Sequence, residues 1–395
     1  MAVPDWIWFV FVFAFGCCVG SFLNVVIYRL PREMSLVRPG SACPACGKHI
    51  RFYDNVPLVS WTILRARCRY CRSPISPRYF IIELLTGVVF LGLFVLYFRS
   101  DVRLGIAVNE GGWLVYVLHA AMLSAFIAAS VIDLERWIIP LSICWFATAV
   151  GMVCSAVGPL AIHPRLVDAY MLLPRASAGT GALAVGAAIG LGVSWVLLIT
   201  GVLKRSYAMN AGSEAENQKT DANQPNPIDG PGQVPEHNFN HRREICKEIV
   251  FLLPIAVCAA ASYWVVAGTI QADTLAQFHW EHPVAAGFLG SLWGYFVGCG
   301  IVWVIRILGT LAFGKEAMGL GDVHLMGAAG AVVGPVSVVI AFFVAPFYGL
   351  AWAGSQMLFK KIRQIPYGPF LSLGVLTVMI LHNYILNRIG FLFLR

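Results

Sequence analysis

From Trp6 to Tyr28 the chain carries no charged side chain, and comparable runs recur along most of its length. About twenty predominantly apolar residues is what a helix needs to cross roughly 30 Å of hydrocarbon. A chain built mainly from such runs has one fold class open to it, a bundle of helices that crosses a membrane several times. Composition agrees, with 58% of the 395 residues hydrophobic and 12% charged, where soluble domains carry about a quarter charged residues.

Charge sets the expected orientation. No basic residue precedes the first run, and Arg29, Arg32 and Arg38 follow it, the reverse of a cleavable signal peptide. The run reads as a retained anchor with its N-terminus outside. The loop Arg29 to Arg78 has ten Lys/Arg against Glu33 and Asp54, which the positive-inside rule places in the cytoplasm. Further runs at about 80–98, 111–132, 137–162, 181–203, 249–267, 284–309, 318–333, 336–359 and 368–387 bring the spans to ten, with Gly334-Pro335 separating two of them. Alternation then puts Asp133 to Arg136, the loop 204–248, the approach to Asp322, and Lys360, Lys361 and Arg363 on the cytoplasmic side. The net charge of +8 therefore reflects topology and implies no nucleic-acid partner. Residues Lys204 to Glu248, rich in Asn, Gln, Pro, Gly and acids, have little to bury and are expected to be disordered. The chain divides into a first transmembrane helix (1–28), a cytoplasmic cysteine loop (29–79), membrane helices with Asp133 (80–200), a polar insertion (201–248) and membrane helices with Asp322 (249–395). No internal repeat is visible.

Two constellations carry chemistry. Cys43-x-x-Cys46 and Cys68-x-x-Cys71 present four thiolates from two turns, the ligand set of a structural zinc. The surrounding Arg and Lys would offset the excess negative charge, and four thiolates leave no open position for a reaction at the metal. The other cysteines lie mostly in apolar runs, so the pattern is a metal site with buried thiols and not a disulfide framework. The second constellation is Asp133 in "ASVIDLERWIIP" with Asp322 in "GLGDVHLMG", each where an apolar run meets a turn. Ionisable residues at membrane depth are costly and point to function, although either one alone reads equally as a cap or an interfacial charge. Two adjacent carboxylates share a proton, so that one can activate water while the other polarises a carbonyl. Gly319 and Gly321 would let backbone approach that site closely.

Other features say less. Glu83, His119 and Arg306 lie within or near spans, and Glu83 could pair with the basic loop. "HWEH" (His279 to His282) and His237/His241 lack a complete ligand set and read as incidental. "GALAVGAAIGLG" reads as a small-residue packing face. No glycine-rich turn follows a strand, so no Rossmann fold is expected.

These residues have an order that resembles the prepilin leader peptidases, membrane aspartic proteases of type IV pilus and type II secretion systems. The similarity runs through "GSFLNVVIYRLP" (Gly20 to Pro31), the cysteine loop to "IIELLTG" (Cys43 to Gly87), "IDLERWIIP" around Asp133, "GKEAMGLGDVHLMGAAGA" around Asp322 and "IPYGPFLSLG" (Ile365 to Gly374). The resemblance implies that Asp133 and Asp322 are catalytic and face the cytoplasm. It implies an all-α polytopic fold of about ten transmembrane helices, the usual eight plus an inserted pair, with a cytoplasmic zinc-binding loop. The substrate would be a pilin-like or pseudopilin precursor with a short basic leader, cleaved after a glycine at the inner membrane. Members with the cysteine loop are typically also N-methyltransferases that use S-adenosylmethionine, so methylation of the new N-terminus is implied, and membrane lipid and pilus or secretion machinery are the implied partners.

The chain departs from the family pattern in places. The runs 181–203 and 249–267, with the polar loop between them, form the excess pair, which preserves the parity that keeps Asp322 inside. His324 stands where lysine is usual, and would make local charge depend on pH, with activity falling more sharply across pH 6–7. Leu141 after Pro140 and Ala66 in "LRARC" alter only local loop shape. Competing readings are a peptidase without methylation, a proton-coupled transporter, which would need acids near the midplane in repeated halves, and a zinc-loop scaffold indifferent to both aspartates.

Overall fold

The structure is a computed structural model that describes residues 4–100, 107–163, 165–167, 171–203, 206, 241–269, 272–358 and 366–393. Lys360, Lys361, Arg363, His237 and most of the polar insertion lie outside the described residues. Among the described residues the regular structure is helical, with two isolated β-bridges in the cysteine loop. Eight helices are long and apolar enough to cross a membrane: α1 (Asp5–Arg29), α3 (Pro77–Phe98), α4 (Gly112–Arg136), α5 (Leu141–Ala161), α6 (Ala178–Ile199), α7 (His241–Thr269), α9 (Pro283–Phe313) and α11 (Pro335–Leu358). Two shorter apolar helices, α10 (Leu320–Val333) and α12 (Gly368–Ile380), complete the ten expected runs. The other named α-helices are α2 (Val59–Ile63), α8 (Ala272–Glu281) and α13 (His382–Phe393), and short 3-10 turns lie at Leu30–Arg32, Phe52–Asp54 and Val108–Glu110.

Local chemistry explains the boundaries. Gly334, with φ +85°, closes α10, and Pro335 opens α11 at the position where a missing N–H costs nothing. Between α4 and α5, Trp137 turns into the left-handed region at φ +60°, its N–H bonded to the Asp133 carbonyl, and Pro140 precedes the new helix. The run 368–387 does not form one helix, because Leu381, with ψ 13°, leaves the helical range and separates α12 from α13. α7 begins at His241, inside the stretch expected to be disordered to 248, and Glu248 within it forms a buried ion pair with Arg306 of α9.

Lipid tails are as apolar as the helices, so close packing drives association here more than hydrophobicity does. α9 and α10 meet at Gly294 and Gly330, where a Cβ on either would lie 2.0 Å from the carbonyl oxygen of the other. The small-residue stripe of α6 does what its composition predicts: Gly186 and Gly190 receive the backbone of α7 at Cys258 and Pro254. The core is centred on α4 and α10. Leu118, Ala129, Val323, Leu325, Met326 and Ala328 are entirely shielded. These central helices carry the two aspartates, whereas α7 packs on the outside of the bundle, against α6 and α9.

Candidate active site and cysteine loop

Asp133 lies in the last turn of α4 and Asp322 in the first turn of α10, each 7–8% exposed. The 189 positions between them in sequence are closed by packing around Ile139. A Cβ on Gly321 would stand 2.8 Å from Ile139 Cβ, and one on Gly368 would stand 3.1 Å from Ile139 Cδ1 and 2.8 Å from Asp133 Oδ2. One isoleucine thus lies between Gly321, the neighbour of Asp322, and Gly368, whose N–H holds Asp133.

Each aspartate is held through one oxygen. Gly368 N–H donates to Asp133 Oδ2 at 3.0 Å, and Gly319 N–H donates to Asp322 Oδ2 at 3.3 Å. The second contact is the reach-back half of a capping box, and an acid in the first turn of a helix suits its dipole. Asp133 has no such local reason to be where it is, since it stands in the final turn of its helix, where a negative charge is unfavourable. Neither Oδ1 accepts a hydrogen bond from the described residues, which leaves one oxygen of each for water or substrate.

The loop leading to Asp322 is tied down at several points. Gly314, with φ +66°, ends α9, and Ala317 N–H donates to Thr310 Oγ1 at 3.2 Å. Arg306, 1% exposed, bonds Glu316 Oε1 at 2.6 Å and the Met318 carbonyl. His324, two residues beyond Asp322, faces another way, as i and i+2 residues of a helix do. Its Nδ1 lies 2.9 Å from Tyr295 Oη, and its ring packs against Trp145 and Tyr295. A charge on this ring would act on Asp322 through space and not through a bond.

The cysteine loop is built from two copies of one hairpin. In the first, Cys43 N–H bonds Lys48 O, Gly47 N–H bonds Cys43 O, and Gly47 adopts φ +67°. In the second, Cys68 N–H bonds Ser73 O, Arg72 N–H bonds Cys68 O, and Arg72 takes the glycine's place at φ +59°. The four sulfurs lie within 4.8 Å of one another, and Cys43 Sγ and Cys71 Sγ are 3.8 Å apart. A tetrahedron with Zn–S of about 2.3 Å has sulfur–sulfur edges of about 3.8 Å, so the donor set fits that ion. Backbone N–H groups of Cys71 and Tyr70 donate towards the Cys68 sulfur and favour its thiolate, the form a metal binds.

The loop is fastened to the bundle beside Asp133. Arg78, at the start of α3, bonds Glu135 at 2.6 and 2.9 Å, two residues from Asp133. Glu83, undecided from the sequence, accepts Leu58 N–H at 2.8 Å and pins the loop from below. Asp54 and Arg69 form a two-point ion pair that holds the Asp54 carboxyl below its ordinary value. His119 bonds Tyr97 Oη at 2.6 Å in the core and is remote from both constellations. The "HWEH" stretch closes α8 and leads into α9; Arg175 bonds the His279 carbonyl and stacks over Trp280, with no ligand cluster around it among the described residues. Sequence reasoning did not single out Ile139 or Gly368. Both stood in quoted blocks, but only the packing shows that they bring the aspartates together.

Comparison with known proteins matches two stretches of the chain, one with the cysteine loop and one with Asp322. Residues 14–97 match the bacterial peptidase A24 N-terminal domain, and residues 249–354 match the type IV leader peptidase family. A Myxococcus xanthus protein named prepilin leader peptidase/N-methyltransferase is 37% identical over 49% of this chain and 58% of its own length, so the chain spans little more than half of that relative. Proteins of the same name from Aeromonas hydrophila (31% identical; 49% of this chain, 76% of the relative) and Klebsiella pneumoniae (32%; 51% and 92%) are covered more fully. No solved structure matches the chain.

Proposed function

The chain belongs to the type IV leader peptidase family, and on that premise we propose that it is a membrane aspartic endopeptidase removing the short basic leader from pilin-like or pseudopilin precursors. Asp133 and Asp322 are its catalytic pair, with Gly319 and Gly321 supporting the backbone around Asp322. The observation that carries the reading is their arrangement. Two carboxylates distant in sequence stand at the ends of the two central helices, the glycines beside them packed on Ile139, each with one oxygen held and one available.

In this mechanism the pair shares one proton, because two neighbouring carboxylates resist ionising together. The ionised member takes a proton from water as the water oxygen attacks the scissile carbonyl carbon. The protonated member donates to the carbonyl oxygen. Collapse of the tetrahedral species breaks the C–N bond, and a proton passes to the departing amine, which becomes the N-terminus of the mature protein. A proton-coupled transporter is less well served, because these acids stand at helix ends and not at mid-helix.

Cys43, Cys46, Cys68 and Cys71 would hold a structural zinc that orders the loop beside Asp133. The names of the relatives extend the proposal to N-methylation of the new N-terminal amine. S-adenosylmethionine would supply the methyl group, and no residue of this chain is assigned to hold it. The setting is the bacterial inner membrane with the site facing the cytoplasm, among membrane lipid and the pilus or secretion machinery that receives the product.

The test is co-expression with a pilin-like precursor. Asp133→Asn and Asp322→Asn should each abolish leader removal while the protein remains in the membrane. Processing by either variant would sink the pair. Mass spectrometry of the mature N-terminus tests methylation separately.

A further inference from the structure

Helix α7 reaches the loop before Asp322 through one buried arginine. Arg306, on α9, is 1% exposed, and a guanidinium so far from water persists only when fully paired. Glu248, on α7 and 4% exposed, supplies one side of that pairing. Its Oε1 accepts Arg306 Nε at 3.1 Å and Nη2 at 3.0 Å, and its Oε2 accepts Trp303 Nε1 at 3.1 Å. This fork fixes the plane of the guanidinium and turns Nη1 towards the loop, where it bonds Glu316 Oε1 and the Met318 carbonyl.

The last contact bears directly on Asp322. The Met318 carbonyl and the Gly319 N–H belong to one peptide group, which is planar, with its oxygen and hydrogen on opposite sides. Arg306 grips the oxygen, and the hydrogen is the one that Asp322 Oδ2 accepts. Rotation of that peptide would withdraw the hydrogen bond from the carboxylate, and a cation on the oxygen also strengthens the N–H as a donor.

We infer that Glu248 is a positioning residue for leader cleavage: by orienting Arg306 it locks the Met318–Gly319 peptide, whose N–H holds Asp322 in place. Helix α7, on the outside of the bundle, thereby becomes part of the catalytic support. This inference rests on Asp322 being catalytic.

The experiment uses the full chain in membranes with a pilin-like precursor, measuring kcat and KM for leader removal alongside protein abundance and thermal midpoint. Glu248→Gln keeps the shape but loses the charge that fixes the guanidinium. It should lower kcat about tenfold, on the scale by which sub-ångström misplacement affects catalysis, with KM and abundance close to wild type. Glu248→Asp should recover most of the loss. Ser194→Ala removes a different α6–α7 contact, Ser194 Oγ to the Phe251 carbonyl at 2.7 Å, and should leave kcat at wild type.

Wild-type kcat for Glu248→Gln overturns the inference. So does a fall in kcat that tracks loss of folded protein without recovery in Glu248→Asp, or equal slowing by Ser194→Ala. Asp133→Asn and Asp322→Asn run alongside. If they still process, the aspartate reading fails; if they are inactive while Glu248→Gln is fast, only the positioning role falls.

Discussion

Gly368→Ala should separate catalysis from stability at this site. The added Cβ would lie 2.8 Å from Asp133 Oδ2, the oxygen that Gly368 N–H now holds at 3.0 Å. Carbon and oxygen normally approach to about 3.3–3.6 Å, so the carboxylate must retreat by about 0.5–0.8 Å. The atom displaced is the far end of a side chain, and Ile139 Cδ1, at 3.1 Å, gives by a few tenths of an ångström at most. The cost in stability should therefore be small, under about 1 kcal/mol and partly offset by the gain of alanine over glycine in a helix. Catalysis is less forgiving. At roughly a hundredfold per ångström of misplacement, a shift of about 0.5–0.8 Å gives about a ten- to fortyfold loss of kcat, or about 1.4–2.2 kcal/mol of barrier. The assay is the rate of leader removal on a pilin-like precursor, with the thermal midpoint of the same preparation. Gly300→Ala, whose Cβ meets nothing within 4 Å, is the matched control. Full activity in Gly368→Ala would refute the claim that the Gly368 backbone fixes Asp133, and activity lost together with the fold would refute the claim that the displacement is cheap.

Other outcomes follow from the same contacts. Purified protein should carry one zinc per chain by elemental analysis, and Cys68→Ser should lower that content; a metal-free wild type would remove the proposed ion. Asp54 is held below its unfolded value, near 3.9, by the hydrogen bond from Arg69, so its stabilisation is complete above about pH 4 and lost as pH falls through the lower folded value. Asp54→Asn should therefore make the loop more sensitive to protease at pH 7, and the difference from wild type should shrink below pH 4. Gly330→Ala drives a Cβ to 2.0 Å from the Gly294 carbonyl oxygen, an overpacking that costs about 1–3 kcal/mol and should lower the thermal midpoint. His324→Lys should move the pH profile only modestly, because the ring is engaged by Tyr295; a large displacement of the profile would show that its charge acts strongly on Asp322.

How much of this could be read from the sequence depended on the range of the interactions involved. The spans are written locally, in uncharged runs of membrane length, and Gly334-Pro335 punctuates them where two helices separate. The cysteine knuckles are also local, since each is closed by hydrogen bonds within a few residues and needs only its own turn. The pairing of Asp133 with Asp322 was accessible because parity of the spans puts both on one face, and the resemblance gave them roles. Their distance was not accessible, because it depends on Ile139 and on Gly368, 235 positions from the carboxylate it holds. Glu248 was hidden for another reason. Polar, acid-rich sequence runs straight into α7 without a break in composition, so the glutamate reads as the tail of a solvated stretch. Its meaning appears only once α9 places Arg306 beside it, a tertiary contact that no local sequence pattern announces. Arg306 by itself is an ambiguous intramembrane cation. Bonded on one side to Glu248 of α7 and on the other to the peptide that holds Asp322, it ties an outer helix of the bundle to the catalytic loop.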